Sequence, residues 1–237
     1  MKIIFFVALL LLSLRCAAED LQAALNRVEA EWATIYYDTP KGQQASAYAK
    51  LLDKATELSG QYPKDPAALF LQALVKASYA DHQDPVSALE AIYGVRDLLG
   101  KVIAINPNTM NGSAYVVLGV LYHKAPPWPI AFGDNEKAGQ LLQTALKISP
   151  NGIDSNYYYG DFLLANNQLE EAEIYFERAS NAPVRPEQRY ADSQLQNEAK
   201  LALKTTRQRN SSATGSTSLT LLDSRTQDIL DGASTTQ

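Results

Sequence analysis

One spacing restricts this chain more than any other. Ala138 and Ala172 stand 34 residues apart, and the residues around them recur. Ala138-x-x-x-Leu142-x-x-Ala145 reappears as Ala172-x-x-x-Phe176-x-x-Ala179, closed by Pro150 in the first copy and Pro183 in the second. Ahead of each copy stands a partner segment: Tyr115-x-x-Leu118-Gly119-x-x-Tyr122, then Asn156-x-x-Tyr159-Gly160-x-x-Leu163. Gly119 and Gly160 are 41 residues apart, which is the same period plus an insertion of seven. Small residues let antiparallel helices approach closely, and large ones fill the holes between one hairpin and the next. A lone hairpin cannot bury both of its faces, so such units must stack. Composition agrees: 33 Ala and 31 Leu among 237 residues favour helix, and 12 Gly with no evenly spaced β-branched runs exclude a sandwich or barrel.

The remaining segments read as further hairpins. Asp20 to Tyr37 places Leu21, Ala24, Leu25, Val28, Trp32 and Ile35 on one helical face. Asp38-Thr39-Pro40-Lys41-Gly42 breaks it. Ala45 to Leu58 repeats the pattern, Ala67 to Tyr79 follows Asp65-Pro66, and Pro85 runs to Ile105 before Asn106-Pro107. With its signature over 113–183, and a looser unit over 67–107, the chain resembles the tetratricopeptide repeat family. That resemblance implies an all-α, right-handed helical-hairpin solenoid over 19–183. A polar terminal helix over 184–209 is expected to cap it. Beyond Asn210, 12 of the last 28 residues are Ser or Thr, so 210–237 is expected to be a disordered tail.

The N-terminus reads as an export signal over 1–18. Lys2 precedes an apolar run from Ile3 to Leu14, and Cys16-Ala17-Ala18 suits cleavage after Ala18. The run is too short to cross a bilayer, which needs about 20 residues. Arg15 sits poorly before a lipidated Cys16, so membrane attachment through Cys16 is the lesser expectation. A soluble periplasmic chain starting at Glu19 is the greater one. It then holds no cysteine, hence no disulfide, thiol nucleophile or Cys-ligated metal. The net charge of −5 argues against nucleic acid as a partner.

The insertion is the sharpest local feature. Lys124-Ala125-Pro126-Pro127-Trp128-Pro129-Ile130-Ala131-Phe132-Gly133-Asp134 replaces a short turn. Its prolines stiffen it, and Asp134 is suited to cap the next helix. Trp128 and Phe132 either engage a partner or fold back on the hairpin end. In the repeat register His123, Lys124, Tyr157 and Asp161 face the concave groove, so these six residues are the candidate binding set. With its Trp-Pro and Gly133-Asp134-x-x-Lys137-Ala138 run, the region is similar to exported bacterial tetratricopeptide proteins. It is also similar to the T-component of TRAP transporters, a periplasmic partner of a solute-binding protein. No His-Glu-x-x-His, phosphate loop or nucleophile elbow occurs, and Asp134-Asn135-Glu136 lacks calcium-loop alternation. A non-enzymatic scaffold for a protein or peptide partner is expected, with no cofactor and no metal. A small-ligand accessory of transport is the alternative.

Overall fold

In this computed structural model the backbone is described over residues 21–233 and the side chains over 21–211. Residues 1–18, read above as an export signal with Cys16 and a cleavage site at Ala18, lie outside the described residues. Helix α1 covers 21–37. It is followed by α2 Lys41–Gln61, α3 Pro66–Ala80, α4 Pro85–Ile105, α5 Ser113–Lys124, α6 Asn135–Ile148, α7 Ile153–Ala165, α8 Leu169–Asn181 and α9 Arg189–Ala233. Short 3-10 turns at Thr109–Gly112 and Pro186–Gln188 precede α5 and α9. Among the described residues there is no strand, only one isolated bridge between Pro127 and Gly133. Over the described residues the fold is an all-α solenoid of four hairpins, α1/α2, α3/α4, α5/α6 and α7/α8, with α9 packed on α8 and α7.

Local chemistry sets the helix starts. Asp65 accepts from the Ala68 N–H, Asp84 from those of Val86 and Ser87, and Asp134 from that of Lys137. Each therefore satisfies donors that the first turn leaves unpaired. Pro66 and Pro85 occupy first-turn positions where a missing N–H costs nothing. The helical stripes then form the core. Tyr48, Leu51 and Ala55 of α2, Val95, Leu99 and Val102 of α4, and Ala138, Leu142 and Ala145 of α6 are all buried. So are Ala172, Phe176 and Ala179 of α8. These are the positions that recur in the sequence.

The array curves until its first helix meets its last. Trp32 on α1 donates from Nε1 to Ser78 Oγ on α3 at 2.9 Å, the contact expected between neighbouring hairpins. The same helix also reaches the far end. Gln188 donates to Glu29, Tyr190 donates its hydroxyl to Asp38 at 2.6 Å, and the Tyr37 and Tyr190 rings meet edge to face at 6.1 Å. Burial, with Tyr36 and Tyr37 close by, pushes the Tyr158 phenol on α7 well above its ordinary value. α1 therefore packs on α2 and α3 and is bonded across the array to the segment that opens α9.

One expectation needs correction. Residues 210–233, read from composition as a disordered tail, continue α9 as helix to Ala233. No proline interrupts residues 189–233, and once a helix is nucleated each further residue adds a bond at little cost. Residues 234–237 lie outside the described residues. α9 is held along its near half: Arg207 pairs with Glu173 and Glu177 at 3.5 and 3.3 Å. Glu173 thus ties α8 to α9.

Candidate functional site

The insertion folds as a self-bonded loop between α5 and α6. The Asp134 N–H donates to Tyr122 O at 3.0 Å and the Gly133 N–H to Pro126 O at 2.9 Å, drawing the two limbs together. A β-carbon at Gly133 would stand 2.0 Å from Ala125 O, so only glycine permits this approach. The N–H groups of Ile130 and Ala131 both donate to Pro127 O. The two aromatics part company on this frame. Phe132 turns inward, its ring edge to face with Tyr93 and Tyr122, both at 5.1 Å, and with the Arg96 guanidinium 4.9 Å away. Trp128 turns outward and keeps 85% of its surface exposed; Ile130 keeps 63%. Phe132 is a packing residue, and Trp128 is offered to whatever lies outside.

Beside the loop, His123 of α5, Asn135 of α6 and Asn166 just past the end of α7 form a directed chain. Asn135, the first residue of α6, donates its Nδ2 to Asn166 Oδ1 at 2.6 Å. Its Oδ1 therefore faces His123 Nδ1 at 2.7 Å as acceptor. The ring must carry its proton on Nδ1, which leaves Nε2 as the acceptor of the neutral imidazole. Asn166 passes the chain on by donating to Phe162 O at 2.7 Å. The His123 ring also meets Phe162 edge to face at 5.3 Å. The imidazole is thus held against an amide, not a carboxylate. Lys124, one residue on, is exposed.

Tyr157 and Asp161 do not join this group on an open groove. Both are half-buried where α7 meets α9. Tyr157 shares a hydrogen bond with Glu198 on α9. Burial pushes the Glu198 carboxyl above its ordinary value, the Tyr157 bond pulls it down, and the Asp161 charge pushes it up again. The structure therefore brings His123, Lys124 and the base of the insertion to one edge. It leaves Tyr157 and Asp161 half-buried beside Glu198 of α9.

A second cluster gives no signal in the sequence. Arg185, between Pro183 and Pro186, donates to Asp192 at 2.6 Å and to Asp154 at 2.9 Å. Burial works against its charge, but the bond to Asp192 and the charge of Asp154 hold its pKa above the ordinary value. Glu29 of α1 lies in the same field. Arg185 also lines a cavity of about 300 Å3 between the starts of α5 and α7, with Ser113, Ile148, Ile153 and Asp154 on its walls. The chain enters α5 beside it through three successive left-handed residues, Met110, Asn111 and Gly112, at φ 46, 56 and 81°. Among the described residues no group of three or more His, Cys, Asp or Glu could hold a metal ion.

The profile of the tetratricopeptide repeat family matches residues 130–195, which span the end of the insertion, α6, α7, α8 and the start of α9. The crystal structure of a thermophilic tetratricopeptide repeat protein of Thermus thermophilus is similar, with a TM-score of 0.51 at 17% identity. The match covers 81% of this chain and 94% of that one. The fold is a tetratricopeptide-type array. No curated protein matches the chain. In tetratricopeptide terms, Gly119 and Gly160 stand where two helices of a hairpin touch. Asn135, Asn166, Arg185 and Glu198, which sequence reasoning does not single out, lie outside the repeat signature. Asn166 ends α7, and Asn167 after it is left-handed at φ 60°.

Proposed function

We propose that this chain is a non-enzymatic, exported scaffold that holds a protein or peptide partner in the bacterial cell envelope. The observation that carries the reading is the edge formed by α5, α6 and α7. His123, Asn135 and Asn166 are pre-ordered there by bonds to one another, next to the exposed cation of Lys124. Fixed donors and acceptors on rigid helices lose little entropy on binding, which suits recognition of a peptide backbone. Tetratricopeptide arrays generally serve as interaction scaffolds, and the family match spans this edge in part. Export rests on the apolar run and small-residue site of 1–18. The test is affinity capture from periplasmic extract by the chain beginning at Glu19, beside His123→Ala and Lys124→Glu. A partner retained by the parent and lost by both variants, at unchanged melting temperature, supports the reading. Equal capture by all three refutes this edge as the site.

A second reading, a small-ligand accessory of TRAP-type transport, is favoured by the cavity between α5 and α7. Native mass spectrometry of chain purified under mild conditions separates the two. A retained metabolite that is lost in Ser113→Leu, with no protein captured, supports the transport reading.

A further inference from the structure

Among the described residues Trp128 is the largest apolar side chain left in solvent, and its setting says what it meets. The stretch 125–133 carries no charged residue. Pro126, Pro127 and Pro129 have no N–H, and the N–H groups of Ala125, Ile130, Ala131 and Gly133 all donate within the loop or to α5. Most of its backbone donors are therefore satisfied without water, which is the condition for entering a medium of low polarity. The base is fixed by Phe132 between Tyr93 and Tyr122, so the tip needs no ordering when it binds. The Asp134 carboxylate at the exit is turned back onto the Lys137 N–H, while Lys124 at the entry is exposed.

We propose that residues 126–130 are a membrane-docking tip that seats Trp128 and Ile130 in the interface of a lipid bilayer. The inference goes beyond the scaffold reading and does not rest on it. A tip of five residues falls well short of the roughly 20–30 residues a side of a stable protein interface. A bilayer interface asks for no matching surface, and an indole is the side chain best suited to it, with an apolar body and a polar N–H. No described helix is long and apolar enough to cross a membrane, so the contact is peripheral. It is also independent of lipidation at Cys16. With a chain charge of −5 and an uncharged tip, zwitterionic lipid is the surface that fits.

The experiment uses the chain beginning at Glu19 and vesicles of phosphatidylcholine. Only two tryptophans are present. Trp32 is half-buried and bonded to Ser78, so a lipid-dependent change in emission reports on Trp128. Vesicles are expected to shift the emission to the blue, shield it from acrylamide and carry the chain down on sedimentation. The double variant Trp128→Ser/Ile130→Ser should lose roughly tenfold or more in vesicle partition. It should keep its melting temperature and its capture of a partner at the His123 edge. Unchanged emission with excess vesicles overturns the proposal, as does equal sedimentation of the double variant. Protection of Trp128 by a captured protein with no response to vesicles also overturns it, and assigns the tip to that protein instead.

Discussion

Trp128 and Phe132 sit four residues apart on one loop and should behave in opposite ways when cut back. Phe132→Ala removes a ring held by two others and by Arg96, and is expected to lower stability by about 2–4 kcal/mol. Trp128→Ala should stay within about 0.5 kcal/mol of the parent, because it leaves solvent where solvent already was. Urea titration of both variants checks this. In the sequence the two aromatics are equals, since nothing in their spacing distinguishes a ring pointing in from one pointing out. What decides it is Tyr93 on α4, far from the loop in sequence. Gly160 is more legible. A β-carbon there would meet the Phe176 ring at 3.0 Å, so Gly160→Leu should cost about 2–3 kcal/mol by overpacking. Glu198 gives a pH signature. Its folded pKa is raised, so the penalty for its charge is absent below about 4.5, its ordinary value. The penalty grows as pH rises through the folded pKa. Glu198→Gln is therefore expected to raise the melting temperature at pH 7 and to match the parent at pH 4. A gain of equal size at both pH values would refute it.

Elements are legible wherever the pattern is local. The starts of α3, α4 and α6 follow from Asp-Pro or Asp caps, and the buried faces of α6 and α8 are the recurring Ala and Phe positions. What joins elements across the array is not legible. Arg185 looks like a linker residue between two prolines, yet it clamps α7 to α9 through Asp154 and Asp192. Asp192 is only 1% exposed and depends on that guanidinium. Arg185→Met should therefore cost about 3–5 kcal/mol, mostly from the carboxylate left buried without its partner. Adding Asp192→Leu should recover a large part of the loss. Calorimetry of the single and double variants tests the pair; equal destabilisation in both would show that packing around residue 185, not charge, is what matters. The length of α9 escapes composition for a different reason. Ser and Thr lower helix propensity only modestly and do not stop a helix already begun.

The described structure differs from an open repeat array in that its first described helix meets the start of its last. In an open solenoid each unit touches only its neighbours, and the terminal units fray first. Here Glu29 and Asp38 meet residues 159 and 152 positions away. Amide exchange should therefore be as slow in α1 as in α3. Tyr190→Ala combined with Gln188→Ala should release α1 first. Fast exchange of α1 in the parent would contradict the closure. No sequence period encodes a pairing of that range, which is why the repeats are readable and the closure is not. The start of the chain is open to direct measurement as well. Mass spectrometry of protein from its native host is expected to find Glu19 as the first residue; a diacylated Cys16 would refute cleavage after Ala18.

Closure also sets an order of events during synthesis. α1 leaves the ribosome well before the side chains that hold its far face, at 188 and 190, which lie 159 and 152 positions beyond their partners Glu29 and Asp38. Until they emerge, one flank of α1 has nothing to rest on. The early hairpins can form while the chain is growing, but the closed shape must wait for residues 188 and 190. A chain of this design leaves its first described helix incompletely packed while about 150 further residues are made.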